Sequence, residues 1–207
     1  MTLTPEGLVA QAMQDPVNAA LAARLPGLGL PQAHLTAGCL FQAVWNRTAG
    51  RPSGWGVKDY DVFYFDDSDL SWEAEDAVIR RVQHAVADLG ATVEVKNQAR
   101  VHLWYEQRFK ASYPRLRSAR DGIDRYLIAC TRVGIDLADG TLYAPDGLGD
   151  LAAGVLRMNP LLPLADLFLQ KAADYRARWP WLTIDAPSTA TAAAPARAST
   201  CASSSTP

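Results

Sequence analysis

Asp59 and Asp61 stand one residue apart in "KDYDVFYFDD", Lys58 to Asp67, where the chain enters a run of aromatic and β-branched residues. In an extended strand side chains alternate, so residues two apart share one face with α-carbons about 6.5–7 Å apart. Two carboxylates that close repel, and each favours water or a proton unless a cation lies between them. Magnesium suits that position: it takes hard oxygen ligands, keeps several waters, and commonly uses one or two carboxylates plus substrate phosphates. A third acid, Glu94, is the lone charge between Val93 and Val95. If its strand lies beside that of the aspartates, the three acids share one rim. Ions held there could clamp the attacking and leaving oxygens of a phosphoryl displacement. Gly38 and Cys39, at a strand-to-helix turn, would present backbone N–H groups to a phosphate. Each piece alone has an ordinary structural reading, since Glu94 could pair with Lys96 or Arg100 and Gly38 could simply turn the chain. Their conjunction in this order is what points to chemistry.

The elements that must position these residues follow from periodicity. "TPEGLVAQAMQDPVNAALAARL" has helical spacing broken at Asp15-Pro16, which predicts two short helices. His34 to Ala37 reads as a short strand, and "CLFQAVWNRTAG" as a helix with Leu40, Phe41, Val44 and Trp45 on its apolar stripe. "RPSGWGV" is a loop, and Tyr60 to Phe65 a strand covered on both faces. Asp69 or Ser71 caps a helix whose stripe is Val78, Ile79, Val82, Val86 and Leu89, and Gly90 stops it. "ATVEVKN" and "RVHLWYE" read as two further strands. Ser118 and Asp121 resemble a capping box opening a helix toward Cys130. Short helices around Leu148–Ala153 and Leu164–Trp179 complete a domain over residues 1–184. Residues 185–207 are dominated by Ala, Ser, Thr and Pro and bury too little surface to offset chain entropy, so a disordered tail is expected there.

The order of a glycine-small turn, Asp-hydrophobic-Asp and a hydrophobic-acid-hydrophobic strand resembles the nucleotidyltransferase superfold shared by DNA polymerase beta, poly(A) polymerase and aminoglycoside nucleotidyltransferases. "AGCLFQAVWN", "KDYDVFYFDDSDLSWEAED", "VEVKNQARVHLWY", "SARDGIDRYL", "YAPDGLGDL" and "KAADYRARWPWL" are similar to a bacterial nucleotidyltransferase-like family of that superfold. The resemblance runs from about Leu35 to Thr183. It implies an α/β (α+β) fold, a mixed β-sheet flanked by helices. It also implies Mg2+ (or Mn2+) on Asp59 and Asp61, with Glu94 completing the site and helping to activate the attacking hydroxyl. An NTP would be the substrate, its phosphates against Gly38 and Cys39. Two departures stand out. Cys39 replaces the usual Gly or Ser, and a thiol is a poorer donor than a hydroxyl. "RPSGWGV" lengthens the spacing from Gly38 to Asp59.

Other residues bear on the same reading. Lys171 lies on the late helix with Arg176 and Arg178 and could reach a phosphate, or snorkel over Trp179 and Trp181. "RFKASYPRLRSARDGIDRY" gathers Arg108, Lys110, Arg115, Arg117, Arg120 and Arg125 into a basic stretch that a polyphosphate or nucleic acid could use, although a solvated surface is the simpler reading. His102 sits in "RVHLW", and neither it, His34 nor His84 has a ligand-spaced partner. Three cysteines without Cys-x-x-Cys spacing indicate neither a disulfide framework nor a thiolate zinc site. A net charge of −2 excludes coating of nucleic acid by charge alone. The start of the chain has no continuous apolar leader, and no run approaches the roughly 20 apolar residues of a membrane helix, so a cytoplasmic location is expected. The expected function is metal-dependent transfer of an NMP from an NTP to a hydroxyl acceptor, a small molecule or protein rather than nucleic acid. The alternative is an inactive protein of the same fold that binds a nucleotide or a protein partner.

Overall fold

The computed structural model describes residues 2–110 and 112–186, and its centre is a five-stranded sheet. Helices α1 (Pro5–Ala12) and α2 (Pro16–Arg24) each open with proline behind a side-chain cap: Thr4 Oγ1 accepts from the Gly7 amide and Asp15 Oδ1 from the Val17 amide. Proline fits the first turn because its missing N–H would have no intrahelical partner there. Strand β1 (His34–Thr36) turns at Ala37 into α3 (Gly38–Thr48), and β2 (Tyr60–Tyr64) follows the glycine-rich loop. Ser71 caps α4 (Trp72–Ala85), which crosses over to β3 (Val93–Asn97). Then come α5 (Val101–Phe109), α6 (Ala119–Ile123), β4 (Gly134–Asp136), β5 (Leu142–Tyr143), α7 (Gly149–Ala153), β6 (Val155–Arg157), α8 (Ala165–Arg178) and β7 (Thr183–Asp185).

The sheet order is β3-β2-β1-β4-β5, with β2 and β3 parallel and the other pairs antiparallel. A parallel pair needs a crossover, and α4 supplies it. β6 and β7 form a separate parallel pair. The fold is therefore the mixed sheet flanked by helices that the resemblance implied. On one face Leu35, Tyr60, Val62, Tyr64, Val93, Val95 and Ile135 enter the main core with Leu8, Leu21, Trp45 and Val82. The opposite face carries Thr36, Asp61, Phe63, Glu94 and Lys96, as the period of two requires. Short α6 covers the Phe63 end, packing Ala119 and Ile123 against Phe63 and Phe65. Gly134 permits that approach, since a Cβ there would stand 2.5 Å from Ile123 Cδ1.

Three expectations change. "RVHLWYE" is not a strand but helix α5. Asn97 is the physical reason: its amide donates to Glu75 Oε1, its Nδ2 to the Asp66 carbonyl, and its Oδ1 accepts from the Ala99 amide, so the chain is turned out of the sheet. The alternation of Val101, Leu103 and Tyr105 mimics a strand, yet Leu103 is exposed. The helix expected to run toward Cys130 stops at Ile123, and Cys130 lies in a separate 3-10 turn. Asp185, placed in the tail by composition, ends β7 and pairs with Arg157. The rest of the expected tail, from residue 187, lies outside the described residues.

Candidate active site

The register of β2 on β3 sets Asp61 directly opposite Glu94, and neighbours in a parallel pair point to the same face. Asp59 lies just before β2, and all three acids line a cavity of about 740 Å³. Lys96, two residues beyond Glu94, turns to that face as well. Its Nζ donates to Glu94 Oε2 at 2.6 Å and lies 3.6 Å from Asp61 Oδ1. An ammonium thus stands between two of the acids.

Asp61 is 17% exposed, and its carboxyl is pushed up to about 6. Burial is the largest cause; Lys96 opposes it, while Asp59 and Glu94 add to it. For Lys96 burial works against the charge, but Glu94 and Asp61 together hold its ammonium above the usual lysine value. The site is therefore a partly buried cluster of charge with an excess of acid, a place that favours more cation than one lysine provides.

Gly38 also lines the cavity, at the first turn of α3. The residue before it, Ala37, has φ 64° and ψ −142°, a conformation that glycine adopts readily and other residues rarely. Strained backbone of this kind concentrates at functional sites, and here it aims the start of α3 at the acids. Cys39 is turned the other way. It is fully buried, its Sγ donates to the Thr36 carbonyl at 3.1 Å, and its own carbonyl accepts from Asn18 Nδ2. Burial pushes the thiol well up. The side chain expected against a phosphate is thus core packing, and at Cys39 only backbone could serve a ligand.

The wall opposite the sheet comes from α8, where Lys171, Asp174, Tyr175 and Arg178 follow helical spacing and line the cavity together. Lys171 is where the sequence placed it. Asp174, Tyr175 and Arg178 were not foreseen as site residues, though the i, i+3, i+4, i+7 spacing from Lys171 was the available signal; Arg125, from the basic stretch read most simply as solvated surface, also lines the cavity. Arg125 stacks 4.5 Å from the Tyr113 ring. His102, on α5, is not among the lining residues.

The extra loop is fastened to this wall. Buried Asn46 donates to the carbonyls of Ser53 and Trp55, and its Oδ1 accepts from Trp179 Nε1 at 2.9 Å. Arg178 Nη1 donates to the Gly56 carbonyl. Asn46→Leu would leave three polar groups unpaired, each costing about 1–3 kcal/mol where buried. Denaturant unfolding should show a loss of at least about 2 kcal/mol. A midpoint equal to wild type would mean that the loop does not depend on Asn46.

Among the described residues no three His, Cys, Asp or Glu side chains converge as they stand into a metal-holding group. Glu94 is held by Lys96 instead. The donor chemistry of Asp59, Asp61 and Glu94 nevertheless fits a hard cation, being all oxygen and partly desolvated, with Asp61 and Glu94 already arranged about a positive charge.

Comparison with known proteins adds two findings. A family model described as nucleotidyltransferase matches residues 23–184. A nuclear magnetic resonance structure described as revealing a CCA-adding enzyme head domain is 22% identical, covers 90% of this chain and 98% of that chain, and superposes with a TM-score of 0.67. At that identity the likeness is one of fold. No curated protein matches the sequence. No helix among the described residues is long and apolar enough to cross a membrane.

Proposed function

Because the chain belongs to the nucleotidyltransferase family, its match covering residues 23–184, we propose that it transfers an NMP from an NTP to a hydroxyl acceptor with the help of Mg2+ or Mn2+. The observation that carries this reading is the register pair Asp61–Glu94 beside Asp59 in one cavity. Asp59 and Asp61 would hold the metal, with Glu94 joining them once released by Lys96. When bound, the ion supplies Lewis acidity toward the phosphoryl oxygens.

The chain's own residues account for the rest. Glu94 accepts the proton of the attacking hydroxyl as its oxygen forms a bond to the α-phosphorus. The bond from that phosphorus to the bridging oxygen breaks, and pyrophosphate leaves. Lys171 and Arg178 on the opposite wall offset the charge of the phosphates, and backbone amides at Gly38 and Cys39 lie where helix α3 begins. Positioning and charge neutralisation supply most of the rate in such reactions.

Incubation with each α-labelled NTP, Mn2+ or Mg2+ and cell extract should label an acceptor, and Asp59→Asn should abolish the label while leaving the fold intact. Undiminished labelling by the variant would overturn this reading. The bridge from Lys96 to Glu94 favours one rival, an inactive nucleotide binder in which the lysine permanently neutralises the acids. Calorimetry separates the two, because the rival binds NTP equally well in EDTA.

A further inference from the structure

His34 lies on the same face of β1 as Thr36, the face that carries the acids on the neighbouring strands, yet it has no part in the proposed reaction. It is 2% exposed, and both ring nitrogens are engaged. Nδ1 lies 2.8 Å from the Gln32 carbonyl, which can only accept, so Nδ1 carries the proton. Nε2 is left to accept, and Arg120 Nε donates to it at 3.3 Å. The surroundings therefore demand one neutral tautomer.

This contact helps to fasten the first turn of α6 to the sheet. Beside it the Ala119 amide donates to Gln32 Oε1 at 3.2 Å. Gln32 serves both ends, its carbonyl holding His34 and its side chain holding Ala119, from a left-handed backbone with φ 52° that few residues other than glycine adopt. From α6 the chain runs directly into Arg125 and Tyr126, which line the catalytic cavity. Tyr126 Oη lies 3.2 Å from Thr36 Oγ1, and Thr36 is the register partner of Asp61. The fastened helix and the cavity wall are one segment.

An alternative partner for the ring stands close by. Asp136 Oδ2, on β4, is 3.7 Å from His34 Nε2 and 3.6 Å from Arg120 Nη2. Asp139, in the turn after β4, adds a second negative charge, and Tyr143 of β5 places its ring 5.1 Å from the Arg120 guanidinium. Opposite His34 on β2 stands Phe63, which carries no charge. A proton on Nε2 would set its N–H against that of Arg120, donor on donor and cation beside cation. Asp136 is then the acceptor within reach, and Arg120 loses both of its partners.

Burial is the largest influence on the ring and favours the neutral form; the Gln32 carbonyl, Asp136 and Asp139 oppose it, Arg120 reinforces it, and the pKa stays below the ordinary 6.5. The support given by the neutral ring is complete above 6.5 and is lost as pH falls toward the lower folded value.

We propose that Gln32, His34 and Arg120 form a proton-operated latch: the neutral ring holds α6, and with it the wall made by Arg125 and Tyr126, against the sheet, whereas the protonated ring passes to Asp136 and releases Arg120. Ala119 and Ile123 keep their apolar contacts, so the release is a local opening and not unfolding. The latch goes beyond the transfer reaction and does not depend on it.

Hydrogen–deuterium exchange of the full chain at about pH 7.5 and about pH 5, corrected for the intrinsic exchange rate, reads the latch without any nucleotide. The amides of Asp124, Arg125 and Tyr126 donate to the Arg120, Gly122 and Ile123 carbonyls. Their protection should fall about threefold or more at the lower pH, the equivalent of one modest hydrogen bond, while β2 and β3 keep theirs. Arg120→Ala, at a half-exposed position, should show the open level at both pH values. His34→Gln, whose Oε1 can accept from Arg120 but does not titrate, should stay protected at both. Ring nitrogen shifts of His34 in labelled protein should place the proton on Nδ1 at the higher pH. The proposal is overturned if wild-type α6 is equally protected at both pH values, if His34→Gln loses protection as wild type does, if Arg120→Ala matches wild type, or if Nε2 carries the proton at the higher pH.

Discussion

Asp61→Asn should reduce nucleotidyl transfer by about a thousandfold and, at the same time, make the metal-free protein more stable at neutral pH. The first effect follows from removing a preorganised charge, which typically lowers the rate by about 10²–10³ or more. The second follows from the linkage of protonation to folding. The folded-state pKa of Asp61 is raised from 3.8 to about 6, chiefly by burial, with Asp59 and Glu94 contributing. A carboxyl raised in this way stabilises the fold fully below its unfolded pKa, and that stability is lost as pH climbs through the folded value. In EDTA the contribution of Asp61 to stability should therefore fall between about pH 4 and pH 7. The asparagine variant should lose less, and end up about 1–3 kcal/mol above wild type at pH 7.5. Thermal unfolding at pH 5 and pH 7.5 in EDTA checks this. A variant less stable than wild type at pH 7.5 would show that Asp61 is satisfied by Lys96 and bears no net cost.

Lys96→Met should have the opposite sign on stability and tighten metal binding. Lys96 Nζ, 2.6 Å from Glu94 and 3.6 Å from Asp61, occupies space that an added cation would need. Removing it leaves the acids uncompensated, and the metal-free fold should weaken by about 1–2 kcal/mol, a modest figure because the lysine is partly exposed. Mn2+ followed by electron paramagnetic resonance should bind at least about tenfold more tightly, since a competing charge about 4 Å away is worth about 1 kcal/mol even in water and about 4 kcal/mol at an effective dielectric of about 20. Added Mn2+ should restore the lost stability by mass action. Weaker or unchanged Mn2+ binding would mean that the lysine and the ion do not compete, and that Lys96 stays in place during the reaction.

Elements with their own local signals were legible before any coordinates. The capped helices α1, α2 and α4, the turn at Gly38, strands β1, β2 and β3 and late helix α8 all announce themselves through caps, glycines and periodicity. So did the three acids, because Glu94 is a lone charge among valines and the Asp pair has its spacing. What failed did so for reasons of context. The alternation of Val101, Leu103 and Tyr105 fits a strand, and only the hydrogen bonds of Asn97 to Glu75, Asp66 and Ala99 decide for a helix. β4 to β7 have two or three residues each, too few for periodicity to register. Cys39 was assigned by position in a motif, whereas the direction of its thiol depends on the Thr36 carbonyl beneath it. Lys96 was weighed only as a partner for Glu94. Its place between two acids needs the neighbouring strand, which no local pattern contains.

The bonds that tie Asn46 to Ser53, Trp55 and Trp179, and Arg178 to Gly56, have a kinetic meaning too. They tie the loop to helix α3 and to the end of α8 through backbone carbonyls and a buried indole. On the proposed reading, an incoming nucleotide would meet a loop already ordered on this side, so little of its affinity would be spent on fixing it.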